Sequence, residues 1–209
     1  MASKTLFSQV HEELDMEEGK SPFFYRRAMR RLITRYKQDP SKIILDEKRD
    51  TGDADENTLR VIPKPGHIMM FDYMPEKDKN VKYFDSFPLV YIVSISGDSF
   101  LGSDLRRIDP MRRQKVIDAL SDDRLMLPRS TLSKYLIKNV KGFFLDIAHD
   151  EWESASLLPL ENFVSIKDGK QESVKTTDVW KNTRSSFGKM LRGRRIYKSY
   201  GKNDESFRG

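Results

Sequence analysis

The chain has 209 residues, 37% of them hydrophobic and 33% charged, with a net charge of +6 and no cysteine. That length suits one domain with an appendage, and the low apolar share predicts long solvated or partner-facing segments around a modest core. The composition excludes disulfides, thiolate nucleophiles and cysteine-bound zinc. No run reaches the apolar length of a membrane span, and residues 1–5 lack the apolar stretch of a signal peptide.

Residues 5–16 are predicted as a short amphipathic helix, since Leu6, Val10 and Leu14 recur every fourth position beside Phe7. Gly19-Lys20-Ser21-Pro22 interrupts it. Ser21 then reads as an N-cap with proline at the first helical position. A helix follows over 23–37, with Phe24, Ala28, Leu32 and Tyr36 on its apolar face and Arg26, Arg27, Arg30, Arg31 and Arg35 around the rest. Asp39-Pro40 ends it, and 41–45 is a short strand or a last turn. Residues 46–58 offer almost nothing to bury and read as an exposed, mobile loop.

Strands are expected over 59–63, 67–73 and 89–95, the last rich enough in β-branched and aromatic residues to be buried on both faces. Ser96-Gly97-Asp98 turns it into a hairpin with 99–105. Asp109 and Pro110 cap and open a helix over 111–120. Ser130 is expected to cap another through Ile137. Residues 143–147 read as a strand, 150–155 as a helical turn, 157–164 as extended chain, and 178–180 as the start of a last short helix. Beyond about Arg192 the composition is that of a basic tail. Consecutive short strands with Gly and Pro turns favour an α+β fold, with a small antiparallel β-barrel or twisted sheet as core.

Catalytic signatures are weak: there is no P-loop, no dinucleotide glycine pattern and no nucleophile elbow. In Gly97-Asp98-Ser99-Phe100-Leu101-Gly102 the serine sits at the wrong spacing, and a hairpin turn explains the glycines. His149-Asp150-Glu151 offers metal-ligating atoms, but a helix start needs acids anyway. Asp72, Asp85 and Asp104 can converge as nuclease carboxylates do, though surface placement is the expectation. Tyr83, Phe84 and Phe87 resemble a base-stacking platform, and core packing at the open end of a barrel accounts for them better. With His11, His67 and His149 scattered, no cofactor or metal is expected, and the chain is read as a non-enzyme.

Charge is the stronger functional signal. Residues 1–19 sum to −4, 20–49 to +7, 50–180 to −4 and 181–209 to +7. A slightly acidic core is thus flanked by two basic segments. A solvated helix normally intersperses acids with its bases, yet 23–37 contains none. The residues expected to grip a partner or phosphates are therefore Arg26, Arg27, Arg30, Arg31, Arg35, Lys189, Arg192, Arg194 and Arg195.

Three stretches carry a resemblance: Phe71-Asp72-Tyr73-Met74-Pro75-Glu76-Lys77, Tyr83-Phe84-Asp85-Ser86-Phe87-Pro88-Leu89 and Ser99-Phe100-Leu101-Gly102-Ser103-Asp104-Leu105. They resemble a family of virion or uncharacterised proteins of large contractile-tailed bacteriophages, as do Asp150-Glu151-Trp152 with Ala155 and Leu158-Pro159 with Glu161 and Phe163. The chain departs from that pattern at Asp104, where asparagine is usual. It departs again at Arg106-Arg107-Ile108-Asp109-Pro110, where a histidine-containing run is usual. The resemblance implies a structural role in the virion, with assembly in the host cytoplasm, and it carries over no catalytic residue.

The expected organisation is an N-terminal helical arm and loop over 1–58, a β-rich core over 59–180 and a basic C-terminal arm over 181–209. The expected function is that of a tail, baseplate or neck component in a multi-subunit assembly, with other phage structural proteins as partners and no membrane. The alternative is a phage nucleic-acid-binding protein acting in replication, recombination or packaging. A nuclease on a small barrel stands third.

Overall fold

One sheet buries side chains on both of its faces, and the helices and smaller sheets are arranged around that requirement. The computed structural model describes residues 6–15, 21–45, 57–75, 82–122, 124–167, 169–184 and 190–194. Helices α1 (Leu6–Asp15) and α2 (Pro22–Tyr36) come first, then strands β1 (Ile43–Ile44), β2 (Thr58–Arg60), β3 (Ile68–Tyr73) and β4 (Phe84–Asp85). The hairpin β5 (Leu89–Ser96) and β6 (Ser99–Asp104) leads through a 3-10 turn to helix α3 (Pro110–Ser121), β7 (Arg124–Pro128) and β8 (Leu132–Leu136). The chain closes with β9 (Val140–Asp146), α4 (Trp152–Leu157), β10 (Phe163–Lys167), β11 (Lys170–Ser173), α5 (Thr176–Arg184) and β12 (Met190–Arg194).

The main sheet runs β1-β2-β9-β3-β5-β6-β8, antiparallel except for the β1–β2 pair. Beside it lie a three-stranded sheet β11-β10-β4 and a two-stranded sheet β12-β7. The fold class is α+β as expected, but among the described residues no barrel closes. The main sheet stays open, with β1 and β8 at its two edges.

Strand β5 explains why the sheet needs cover on both sides. Leu89, Tyr91 and Val93 point into one core, and Val90 and Ile92 into the other. The first core holds Leu6, Phe7 and Val10 of α1, Ala28, Met29 and Leu32 of α2, and Val116, Ile117 and Leu120 of α3. The second is aromatic, with Phe71, Tyr73, Phe84, Phe100, Tyr135 and Phe144 buried together and Val164 of β10 packed among them. Phe100 and Tyr135 stack at 5.0 Å, while Phe71 meets Phe100, Tyr135 and Phe144 edge-on. Each such ring pair adds about 0.5–1.5 kcal/mol beyond area burial.

The helix expected after Ser130 is instead a strand. Ser130 lies in a 3-10 turn, and β8 then pairs along β6 from Leu132 to Leu136. The alternation that buries Tyr135 against Phe100 requires extended chain, and pairing satisfies the outer edge of β6. Of the loop expected over 46–58, residues 46–56 lie outside the described residues. Asn57 is not exposed but buried, and Thr58 opens β2.

Other expectations hold. Asp109 caps α3 by accepting from the Arg112 amide at 3.2 Å, with Pro110 as the first helical residue. Ser21 precedes α2 in extended conformation, though the bond there comes from its carbonyl, which accepts from the Phe24 amide at 3.0 Å. Gly97 turns the β5–β6 hairpin at φ 55°. Phe84 and Phe87 are buried, one in each core, and Tyr83 lies edge-on to Phe163 at 6.1 Å.

Gly102 of β6 packs closely against β5. A methyl group there would press into Val90 Cγ1 and lie 3.3 Å from the Tyr91 carbonyl oxygen. Val90 is buried and β-branched, so it has little room to yield. Gly102→Ala is expected to destabilise the chain by about 1–3 kcal/mol, read as a lower urea midpoint.

Candidate functional site

Helix α2 is acid-free over its whole length, Pro22-Phe23-Phe24-Tyr25-Arg26-Arg27-Ala28-Met29-Arg30-Arg31-Leu32-Ile33-Thr34-Arg35-Tyr36. Its apolar stripe of Ala28, Met29 and Leu32 is fully buried. Burying large side chains such as Met29 and Leu32 contributes about 1.5–3 kcal/mol each. Cations at the flank of that stripe are spent inside the molecule. Arg26 Nη1 donates to the carbonyls of Leu160 and Glu161, at 3.4 and 3.0 Å. Arg30 forks onto Asp72 of β3 at 2.6 and 3.4 Å, with its guanidinium 5.5 Å over the Phe87 ring. Lys37, just past the helix, sits 5.5 Å over Phe143. Burial pulls the Arg26 pKa below its ordinary value.

These contacts divide the expected arginines into two sets. Arg26 and Arg30 clamp the helix to the sheet. Arg27, Arg31 and Arg35 are exposed on the outer side, about 6 Å of helix rise apart at four-residue spacing. Like charges four apart on a helix are mildly unfavourable in isolation. Phe23, one turn before Arg27, is 60% exposed and continues the row.

The C-terminal residues are distributed differently. Arg192 is exposed on β12, opposite Met126 of β7, and Arg194 pairs in register with Arg124. Lys189 and Arg195 lie outside the described residues. Before that strand, α5 is fastened to the core: Val179 and Thr183 are buried, Trp180 Nε1 donates to the Arg106 carbonyl at 3.0 Å, and Arg184 Nε donates to Asp109 at 3.2 Å.

The expectation that Asp72, Asp85 and Asp104 lie on the surface is corrected for two of them. Asp72 is half-buried under Arg30, whereas Asp85 and Asp104 are buried at 2% and 0% exposure. They belong to an interior ionic cluster with Arg106, Arg113 and Glu161. Asp104 Oδ1 accepts from the Arg106 amide at 3.1 Å, and Asp85 Oδ1 accepts from the amides of Phe87 and Asn162 at 3.0 and 3.2 Å. The Arg106 guanidinium donates to the Phe87 carbonyl and stacks 5.7 Å from that ring. Arg113 donates to Glu161 at 2.6 Å, to the Ile108 carbonyl at 3.0 Å and to the Ser156 carbonyl. Burial raises the Asp85 pKa and lowers that of Arg106.

A second buried set lies beside the start of β3, where Asp146 of β9 pairs with Met69. Asp146 accepts from Arg60 Nε and sits 3.0 and 3.1 Å from His67 Nδ1. The Asp146 and His67 side chains are 0% and 7% exposed. Glu151, read from sequence as a helix-start acid or metal ligand, instead reaches across the fold. It accepts from the Phe7 amide in the first turn of α1 at 3.4 Å and from Asn57, whose oxygen in turn accepts from the Ala148 amide at 3.0 Å. Among the described residues no group of three His, Cys, Asp or Glu side chains is placed to hold a metal ion.

Sequence reasoning missed these buried ionic sets because they join residues from distant parts of the chain. The nearest signal was the pair Arg106-Arg107 directly after a strand. Nothing local separates a buried arginine there from an exposed one. No family model, curated protein or solved structure matches the chain.

The two kinds of charge respond differently to substitution. Asp146→Ala removes the buried carboxylate that Arg60 and His67 share and is expected to cost about 3–5 kcal/mol in urea unfolding. Arg27→Ala, on the outer row of α2, is expected to leave the urea midpoint within error of the parent.

Proposed function

We propose that the chain is a non-enzymatic structural component of a contractile-tailed bacteriophage particle, in its tail, baseplate or neck. It binds an acidic face of a neighbouring subunit through the outer side of α2. The observation that carries this reading is the row Arg27, Arg31 and Arg35, exposed on an acid-free helix whose other cations fix it to the sheet. A helix held at defined orientation presents its charges at fixed spacing, which lowers the entropy lost on binding. The resemblance of the segments around Tyr83–Leu89 and Ser99–Leu105 to virion proteins supplies the class of partner.

The same row suits phosphates, and Phe23 beside it suits base stacking, so nucleic acid is the second reading. Salt dependence alone does not separate the two, because both contacts are ionic. The presence of nucleic acid binding does.

Mass spectrometry of purified particles is expected to find the chain at a fixed ratio to other tail proteins; its absence from mature particles contradicts the structural reading. The triple substitution Arg27→Glu, Arg31→Glu and Arg35→Glu is expected to reduce incorporation at least tenfold with the circular dichroism spectrum unchanged. Gel-shift titration at low salt is expected to give no retarded DNA or RNA band. A band lost in the triple variant would transfer the row to the second reading.

A further inference from the structure

The interior cluster around Asp85 and Asp104 contains a charge arrangement that the clamping of α2 does not require. Asp104 ends β6, in the main sheet, and Asp85 lies in β4, in the three-stranded sheet. A short chain of bonds joins them: Asp104 Oδ1 to the Arg106 amide, the Arg106 guanidinium to the Phe87 carbonyl, and the Phe87 amide to Asp85 Oδ1. Each carboxyl has its other oxygen, Oδ2, buried without a hydrogen-bond partner, and Arg106 Nε is unpartnered as well. Arg107 Nε approaches Asp104 Oδ2 at 3.4 Å without hydrogen-bond geometry.

An ionised carboxylate with an unpartnered oxygen is costly in a dry interior, and a second carboxylate nearby adds repulsion. A protonated carboxyl avoids both costs. The charged and titratable groups facing Asp104 come from several elements. They are Asp85 of β4, Arg106 and Arg107 of the turn after β6, and Tyr135 of β8. Glu161, before β10, and Arg113 of α3 act through Arg106.

We propose that Asp85 and Asp104 form a pH-sensitive latch between the two sheets, closed by one carboxyl proton held by the pair and loosened when that proton leaves. The latch reaches further through Arg106, whose carbonyl holds Trp180 and so anchors α5 ahead of the basic C-terminal segment. It depends on no partner and stands apart from the functional reading of α2.

Burial, and next the neighbouring Asp85, push the Asp104 pKa from 3.8 up to about 7. Below 3.8 the carboxyl is neutral in both folded and unfolded chains. As pH rises from there, the unfolded chain gives up its proton while the folded chain keeps it, so stability falls until about pH 7 and is level above it.

Thermal melts of the full chain at pH 5 and pH 8, at constant ionic strength, test this. The parent is expected to lose about 5–10 °C of Tm between the two, and Asp104→Asn at most half as much. Equal parent stability at both pH values, or an undiminished fall in the variant, would overturn the latch. Carboxyl-carbon NMR of the unsubstituted protein provides a measurement that needs no variant. One aspartate titrating near pH 7 supports the latch, and all of them titrating below pH 5 refutes it.

Discussion

A guanidinium cut off from water sits where the two larger sheets meet the helices. Arg106 has 0% exposure, and removing its charge from solvent costs several kcal/mol before any compensation. Its surroundings follow from that cost. The Asp85–Asp104 pair and Glu161 bring negative charge towards it, the Phe87 carbonyl accepts from it, and the Phe87 ring lies alongside. Its backbone is used as fully: the amide donates to Asp104 and the carbonyl accepts from Trp180. One residue therefore ties β4, β6 and α5 together. The ionic cluster specifies how the sheets meet, while the apolar and aromatic cores contribute most of the stability.

That division of labour extends to α2. The helix is fixed by its buried Ala28, Met29 and Leu32 and by two arginines that satisfy acceptors on the sheet side. Arg27, Arg31 and Arg35 of the same helix are exposed. An outward row of cations on a rigidly seated helix costs little stability, because exposed charges keep their hydration. It also gives a defined electrostatic face for docking.

The elements that local pattern determines were legible in the sequence. The β5–β6 hairpin, α2 and the Asp109-Pro110 start of α3 all follow from composition, periodicity and turn chemistry. The strand at 132–136 was not legible, since Ser130 followed by Leu132, Tyr135 and Leu136 suits a helix as well as a strand. What decides it is the outer edge of β6, a tertiary fact. The arginines of α2 were identified as a group, but their division into clamps and an outer row depends on Asp72 and on the Leu160 and Glu161 carbonyls, far along the chain. Asp85 and Asp104 were misjudged as surface residues for the same reason: aspartate is rarely buried unless paired, and the pairing residues are not neighbours in sequence.

Arginine-selective modification with phenylglyoxal, mapped by mass spectrometry in the free chain and in purified particles, tests the central claim most directly. The account predicts that Arg106 and Arg113 stay unreactive in both, while Arg27, Arg31 and Arg35 react in the free chain and are protected in the particle. Reactive Arg106 in the folded free chain, or an outer row that reacts equally in both states, would contradict it.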